Sequence, residues 1–412
     1  MEMNHLIRKV AVCIAVALPL TWLASCSDEE EGRIEVNSAA PAKVSNVAST
    51  SGPGEVYLTW NIPASSSFMY SKVTYTYSKG QEAYKIFSKE LADENGVMRA
   101  TISGFVSTDP VEFNIYACSV RGNSESPVTY SAAPGAPAFL AVAQSLTAEP
   151  AWGAVKIGYE NKTTATVYVN VDYALKSDPS KTGNFQFEAL PGTTSSRLMA
   201  LCIPGDNFIN GEEAILTLKA QDIEGNAADP VNTTVRTKKV APIDRSAWTF
   251  PGYQDAYGAT TGYDSQEAGG EGPSPKGRVI AMIDGNNGTF WHTKWKNGAD
   301  KYPHFFIVDM GEDKEVVAVG IRRRPGKDGV KTHIGQTIST CESSAANGTN
   351  ADAWLWTNQG WSAFDVNSED NQVIALQNPK SSRYIKAYFA ETDKGTSDFT
   401  IIGEFNAYTP AE

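Results

Sequence analysis

Cysteine and histidine are scarce in this chain, with five of the first and four of the second in 412 residues. Cys13 lies in an N-terminal leader and Cys26 directly follows it, which leaves Cys118, Cys202 and Cys341, one in each of three successive segments. Such isolated cysteines argue against the disulfide framework of a small secreted domain. Beyond His5 the histidines are His292, His304 and His333, and no cysteine stands at zinc-ligand spacing from them, which argues against a transition-metal site. Basic charge is short as well: 35 Lys and Arg face 47 Asp and Glu, a net charge of -12, and no nucleic-acid partner is expected. The G-x-S-x-G elbow, the H-E-x-x-H pair, the Walker loop and the dinucleotide fingerprint are absent, so the usual short signatures of hydrolytic and nucleotide chemistry are missing. Between residues 40 and 245 no stretch shows sustained helical periodicity with caps at both ends, which disfavours an α/β layout.

What is present starts at the N-terminus. Arg8 and Lys9 precede an apolar run from Val10 to Trp22, too short to span a bilayer comfortably; then come Leu23-Ala24-Ser25-Cys26 and Ser27-Asp28-Glu29-Glu30-Glu31. That is the anatomy of a cleaved secretory signal over residues 1–25. The last four residues resemble a lipobox, in which small residues before the cysteine admit a dedicated peptidase. The resemblance implies a lipid attached at Cys26 and a protein anchored to the membrane rather than spanning it. The acidic run resembles the export signal of surface lipoproteins in Bacteroidota, which implies the outer leaflet of the outer membrane; the plainer alternative is a solvated tether over residues 26–40. Without residues 1–25 the chain loses Arg8, Lys9 and Glu2 and carries 33 basic against 46 acidic residues, a net of -13.

From Val44 the pattern is short alternating strands broken by Gly, Pro, Asn and Ser. Val56, Leu58 and Trp60 alternate with Tyr57 and Thr59, and Val111, Phe113, Ile115 and Ala117 alternate with polar partners, so each run buries one sheet face. An all-β fold is expected. The segment Ala117-Cys118-Ser119-Val120-Arg121-Gly122-Asn123, with Pro127-Val128 after it, aligns without a gap with Ala220-Gln221-Asp222-Ile223-Glu224-Gly225-Asn226 and Pro230-Val231. This internal repeat implies two tandem sandwiches, over residues 41–135 and 136–243. Pro41-Ala42-Lys43-Val44, Val56 to Pro63 and Val73-Thr74-Tyr75 resemble the opening of a fibronectin type III domain; the second sandwich has no tryptophan in the matching strand, and its assignment as an Ig/fibronectin III-like unit rests on the repeat. Trp60 and Trp152 are expected in the core rather than as exposed ligand platforms.

Residues 244–412 hold six of the nine tryptophans and all three remaining histidines. The run Ala281 to Trp295, followed by Pro303-His304-Phe305-Phe306-Ile307-Val308-Asp309-Met310-Gly311, resembles a discoidin, or coagulation-factor type C (F5/8), domain. Arg245-Ser246-Ala247-Trp248, Val319 to Pro325, Ser381 to Lys386 and Ile402-Gly403-Glu404-Phe405 occur in the order the resemblance requires. It implies a jelly-roll β-sandwich with loops gathered at one end. Asp284, Gly285 and Asn287 form a tight turn to which Thr289 adds a hydroxyl, a set of hard oxygen donors of the kind calcium selects. Carbohydrate-binding modules of this fold hold a structural calcium with such an aspartate and threonine and with a glutamate near the C-terminus. The resemblance therefore maps a metal site onto Asp284, Asn287, Thr289 and Glu404, with a plain hydrogen-bonded turn as the alternative.

Candidate ligand contacts are spread over the same domain. Arg324, beside Arg322 and Arg323, sits where family 32 carbohydrate-binding modules place an arginine that reads sugar hydroxyls, and His333 follows in the same loop. Trp354, Trp356 and Trp361 offer stacking faces; Trp354 and Trp356 share one side if their run is a strand, so at least one of them is expected in the core, and Trp361 is the better exposed candidate. His292 and His304 either meet a sugar hydroxyl or are satisfied structural residues; Trp291 is expected in the core with Trp295 closing over it. Asp393 lies in a loop, residues 391–398, at a position that often contributes a ligand contact. Tyr253 to Gly272 is a long insertion in which Tyr253, Tyr257 and Tyr263 are interspersed with Asp255, Asp264, Glu267 and Glu271, and it is either a binding loop or a plain surface loop. The favoured function is a surface lipoprotein that binds extracellular glycan through this domain, accessory to polysaccharide uptake and partnered by outer-membrane transporter components. The alternatives are a protein-binding adhesin or assembly component, and a glycosidase whose two carboxylates leave no local signature. A non-enzyme is expected, since these domains leave no segment for a catalytic one.

Overall fold

The structure is a computed structural model and describes residues 37–77, 80–205, 207–391 and 398–412. Cys26, the leader before it and Asp393 lie outside the described residues. The first unit contains β1 (Ser45–Gly52), β2 (Glu55–Asn61), β3 (Tyr70–Tyr77), β4 (Gln81–Ser88), β5 (Val97–Ser103), β6 (Val111–Cys118) and β7 (Val128–Ala132). They form a three-stranded sheet β1-β2-β5 facing a four-stranded sheet β4-β3-β6-β7. The alternation in β2 turns Val56, Leu58 and Trp60 inward against Val73, Phe113 and Ile115. Trp60 is fully buried, and its indole N–H donates to the Ser71 hydroxyl at 3.0 Å, which removes the cost of an unpaired polar group in the core.

A helix that the sequence reading did not anticipate, α1 (Ala138–Ser145), follows. Its first-turn partner is Pro137, which offers no capping side chain, so the usual polar start signal is missing. Burial of Ala138, Phe139, Val142 and Ala143 against the second sandwich holds it in place. That sandwich comprises β8 (Thr147–Ala151), β9 (Ala154–Asn161), β10 (Val167–Leu175), β11 (Asp178–Ala189), β12 (Thr193–Ala200), β13 (Cys202–Ile203), β14 (Asn207–Phe208), β15 (Glu213–Gln221) and β16 (Val231–Arg236). Its main sheets, β12-β9-β8 and β11-β10-β15-β16, repeat the three-plus-four pattern of the first unit. The aligned segments occupy the same place in both, at the end of β6 and of β15. Ser119 N donates to Asn123 O at 2.9 Å, and Asp222 N to Asn226 O at the same distance. Gly122 and Gly225 adopt φ values of 81° and 86°, a left-handed conformation open to glycine at little cost. The expectation of a core tryptophan is met by Trp60 but not by Trp152, which is half-buried with the Lys238 ammonium 5.3 Å above its ring.

The C-terminal unit contains β17 (Val240–Pro242), β18 (Trp291–His292), β19 (His304–Arg323), β20 (Gly335–Cys341), β21 (Thr357–Ala363), β22 (Gln372–Phe389) and β23 (Ile401–Pro410). Strand order is β17-β23-β19-β22-β20-β21, with β18 on β23. The two long strands each serve both layers of this sandwich. Pairing between β19 and β22 slips between Asp309 and Lys314 and again between Val316 and Ala318; the first half of β19 lies beside the end of β22, and the second half lies between the start of β22 and β23. Trp248, Phe250, Tyr263, Trp291, Phe306, Phe389 and Phe405 fill the core between the layers.

The second sandwich and the C-terminal one meet at the free edge of β12. The Gln377 amide donates to Leu198 O at 2.9 Å and accepts from Leu198 N at 3.3 Å, so a side chain on β22 stands in for a strand partner. Around it pack Ala154, Ala200, Ala318, Val373 and Ala375, and Phe208 meets Tyr408 edge-on at 5.5 Å. Replacing Gln377 by alanine removes both bonds. The expected cost is about 1–3 kcal/mol of unfolding free energy, read from urea titrations of the wild type and Gln377→Ala followed by tryptophan fluorescence.

Candidate functional site

Arg322 and Arg323 end β19 and Arg324 follows it, and each of the three has a different task. Arg323 is buried: it donates to Ser368 O at 3.0 Å, Arg324 O at 2.7 Å and Gly326 O at 3.0 Å, and pairs with Glu369 at 3.3 Å. It staples the loop that follows. Arg322 faces a cavity shared with Arg245 and Glu404. Arg324 lies just past the strand end, with its guanidinium 4.0 Å above the Phe290 ring and its Nη1 3.5 Å from Glu271 Oε2. Stacking and the ion pair together hold its planar fork in place.

Glu271 is the centre of this group. Its Oε1 accepts the Trp295 indole N–H at 2.8 Å and lies 4.0 Å from His292 Nε2. His292 Nδ1 is 2.6 Å from the Thr293 carbonyl, an acceptor only, so Nδ1 carries the proton and Nε2 presents a bare lone pair. Burial, outweighing the attraction of Glu271, holds the His292 pKa below its ordinary value and keeps the ring neutral near pH 7. Trp295 is 38% exposed. Its ring lies over Gly270, where a Cβ would come within 2.6 Å of the indole, so residue 270 has to be glycine for the ring to lie there. Phe399 approaches the His292 ring at 5.1 Å.

The second half of the acidic and aromatic insertion is packed, with Tyr263, Ser265, Gln266 and Glu267 all buried, whereas residues 254–259 are exposed. Trp291 is a core residue, as expected, and its indole donates to Ser265 O at 2.8 Å. Glu267 Oε1 accepts from the amides of Gly269 and Gly270 at 3.0 and 2.7 Å and from the Tyr257 hydroxyl. Its Oε2 accepts from the amides of Trp295 and Lys296 at 3.1 and 2.9 Å. Burial by itself would raise the Glu267 pKa, but these donors outweigh it and hold the carboxyl at about 2. Tyr257 thus serves Glu267 with its hydroxyl while 44% of its surface is exposed. His304 is buried, with Nδ1 2.6 Å from Asp264 Oδ2 and Nε2 2.8 Å from Asp398 O. Burial disfavours the charged ring, yet Asp264 prevails and raises its pKa; the residue ties the insertion to the segment before β23.

Several other candidates take structural places. His333 is fully buried between Phe364 and Phe389, each 4.4 Å away, with its nitrogens on Thr332 at 2.9 Å and Gln336 at 3.1 Å. Burial drives its pKa down to about 3, and it cannot reach a ligand. Trp354 is buried, stacked on Trp356 at 5.6 Å, and donates to Gly348 O at 3.1 Å. Trp356 is half-buried beneath Lys386 and donates to Ala351 O at 2.8 Å. Trp361 is 64% exposed, but it lies on β21, at the other end of the strand order from β18 and β23. Trp295, expected as a lid on Trp291, instead joins Glu271. The two are 24 residues apart, and only the density of acids and aromatics in the insertion signalled a site there.

The residues expected to hold calcium come together in part. Asp284 Oδ2 accepts the Thr289 hydroxyl at 2.7 Å and Oδ1 accepts the Asn286 amide at 2.8 Å. Asn287 and Glu404 line a cavity of about 270 Å³ with Arg245 and Arg322. Glu404 Oε1 is buried without a hydrogen bond, an atom a cation would suit. Glu404 Oε2, however, already receives Arg245 Nη1 at 2.5 Å, and the same nitrogen faces Phe405 O at 3.1 Å and Met282 O at 3.5 Å. A calcium ion does not fit this donor set, because a guanidinium stands where the oxygens converge.

No protein-family model matches the chain. A sialidase from Micromonospora viridifaciens is 39% identical over 62 residues, which is 15% of this chain and 9% of the sialidase, so the chain spans under a tenth of that relative's length. Among solved structures, the C-terminal domain of a chitobiase from Bacteroides fragilis is 21% identical, covering 42% of this chain and 100% of that one, with a TM-score of 0.32. A family 32 carbohydrate-binding module from C. perfringens, in complex with galactose, is 22% identical, covering 41% of this chain and 98% of the module, TM-score 0.30. A SusE-like protein is 14% identical, covering 67% of this chain and 100% of that one, TM-score 0.34.

The Glu267 carboxyl generates a pH prediction. Its folded pKa of about 2 lies below an unfolded value of about 4.3, so its contribution is fully present above that unfolded value and is lost as pH falls through the folded one. The stabilisation is about 3 kcal/mol. Denaturant titrations at a series of pH values are expected to show wild-type stability falling between about pH 4 and pH 2, with a shallower fall in Glu267→Gln, which starts lower at pH 7.

Proposed function

We propose that this chain binds a carbohydrate at the cluster of Glu271, His292, Trp295 and Arg324, as a lipid-anchored protein of the cell surface that assists polysaccharide capture. One observation carries the reading: a carboxylate, an unprotonated imidazole nitrogen and a guanidinium converge beside a partly exposed indole. A sugar ring has hydroxyls that both donate and accept and a C–H face that stacks on an aromatic ring, so it matches all four groups at once. Arg324 supplies donors, Glu271 and His292 Nε2 supply acceptors, and Trp295 supplies the flat face. Binding is favoured over hydrolysis because Glu267, the nearby second carboxylate of the insertion, is consumed by backbone amides and the Tyr257 hydroxyl. The strand order of the two N-terminal sandwiches supports their reading as fibronectin III-like spacers.

The lipobox-like residues before Cys26 and the acids after it support the anchor, and outer-membrane transporter components are the partners this placement suggests. Cys26→Ser is expected to move the protein from the membrane fraction to the soluble one. The cluster is tested with a glycan array, followed by calorimetry on the mature chain. Arg324→Ala, Trp295→Ala and Glu271→Gln should each weaken sugar binding about 10-fold or more while the melting temperature stays close to that of the wild type. A protein that binds no glycan but binds another protein tightly would overturn the proposal in favour of an adhesin.

A further inference from the structure

We infer that Arg245 is the resident cation of the Asp284–Glu404 joint, and that the C-terminal sandwich is held together there without a metal ion. The joint brings three separate segments to one point: the stretch after β17 that carries Arg245, the turn at Val279–Ile283 with Asp284 after it, and β23. The first contributes the cation and the other two contribute oxygen. Met282 O, Phe405 O and Glu404 Oε2 all face Arg245 Nη1, at 3.5, 3.1 and 2.5 Å. Three oxygens from two elements around one cationic nitrogen is the arrangement a hard cation would otherwise complete.

Charge explains why some cation is needed. The Glu404 side chain is 6% exposed, and burial, joined by the negative field of Asp284, raises its pKa in spite of Arg245. Two neighbouring carboxylates, one buried, are stable as anions only with positive charge beside them. Arg245 supplies it at contact distance, and Arg322, opposite Glu404 in the β19–β23 register, lines the same cavity. Two carboxylates and two guanidiniums are already balanced, and a divalent ion would enter against two positive groups. The second arm of the Arg245 fork lies beside the turn that follows Asp284, since a Cβ built on Gly285 would lie 3.4 Å from its Nη2. The main chain of residue 245 is fixed too, its carbonyl accepting from Trp248 N at 2.9 Å.

The test uses the mature chain. Calorimetric titration with CaCl2 is expected to show no binding, and thermal melts followed by tryptophan fluorescence should coincide in EDTA and in millimolar CaCl2. Arg245→Ala, which leaves Glu404 buried without its counter-ion, should melt about 6 °C or more lower in EDTA. Calcium should restore part of that loss, because the oxygens then lack a cation. Calcium binding by the wild type with a raised melting temperature would overturn the inference, as would an Arg245→Ala protein that melts with the wild type. If Arg245→Ala does not fold, the wild-type titration still decides, together with Arg245→Lys, whose retained charge should keep it calcium-independent.

Discussion

The candidate site depends on one buried carboxylate. Glu267 has no exposed surface, and both of its oxygens are spent on donors from two directions: the glycines after it and the amides after Thr293. An ionised carboxylate is costly to bury unless such donors replace its water, and here the replacement is complete enough to hold its pKa at about 2. In geometric terms the carboxylate draws the insertion onto the Trp295 loop. Gly269 and Gly270 then lie under Tyr257 and Trp295, and Glu271 comes within reach of His292 and Arg324. An alanine at 267 would leave several amides facing an empty site and unlink Glu271 from its partners.

The same division of labour runs through the C-terminal sandwich. Its interior is aromatic and aliphatic, whereas the loops around it are fixed by polar side chains that meet backbone atoms: the buried Arg323 on three carbonyls, the buried His304 on Asp264 and the Asp398 carbonyl, and the half-buried Arg245 on the Phe405 carbonyl and Glu404. Long loops carry many backbone polar groups that no sheet satisfies, and a forked or two-ended side chain can satisfy several at once. Such a loop is ordered by a few strong bonds instead of by a large apolar area. It is therefore more exposed to single substitutions than the strands are.

The architecture was legible where the signal was local. Period-two alternation in β2 and β6 marks the buried faces, and the Gly-Asn repeat marks a turn that recurs with the same backbone bonds. The helix α1 was hidden because Pro137 gives no side-chain cap and its apolar residues resemble another strand. At the site, legibility fell with sequence separation. Arg324 and the acids of the insertion were visible as candidates, but nothing local distinguishes Arg324, stacked on Phe290, from Arg323, buried in its own loop. The buried place of His333, and the choice of Trp354 over Trp356 as the core residue, have a related cause: a polar ring tip can be satisfied by Gln336 or by Gly348 O inside the protein, so residue type alone does not show whether an aromatic faces solvent.

Pre-organisation sets how the site would act in a longer assembly. Its groups are held before any ligand arrives, Arg324 by Phe290 and Glu271, Trp295 by Glu271 and Glu267, His292 by Thr293, so little side-chain freedom is lost on binding. The two N-terminal sandwiches are fastened by the same logic. Gly54 N donates to Gly135 O at 3.0 Å and Gly135 N to Gly52 O at 2.9 Å, while Gln377 closes the edge of β12. Gly52, Gly54 and Gly135 all belong to the first sandwich, so these bonds fasten its C-terminal end to the β1–β2 turn, while Gln377 fastens the second sandwich to the C-terminal one. Under the proposed function, an extended ligand with repeated units would meet many such sites on one surface, and each later contact would be made without a new search over orientations.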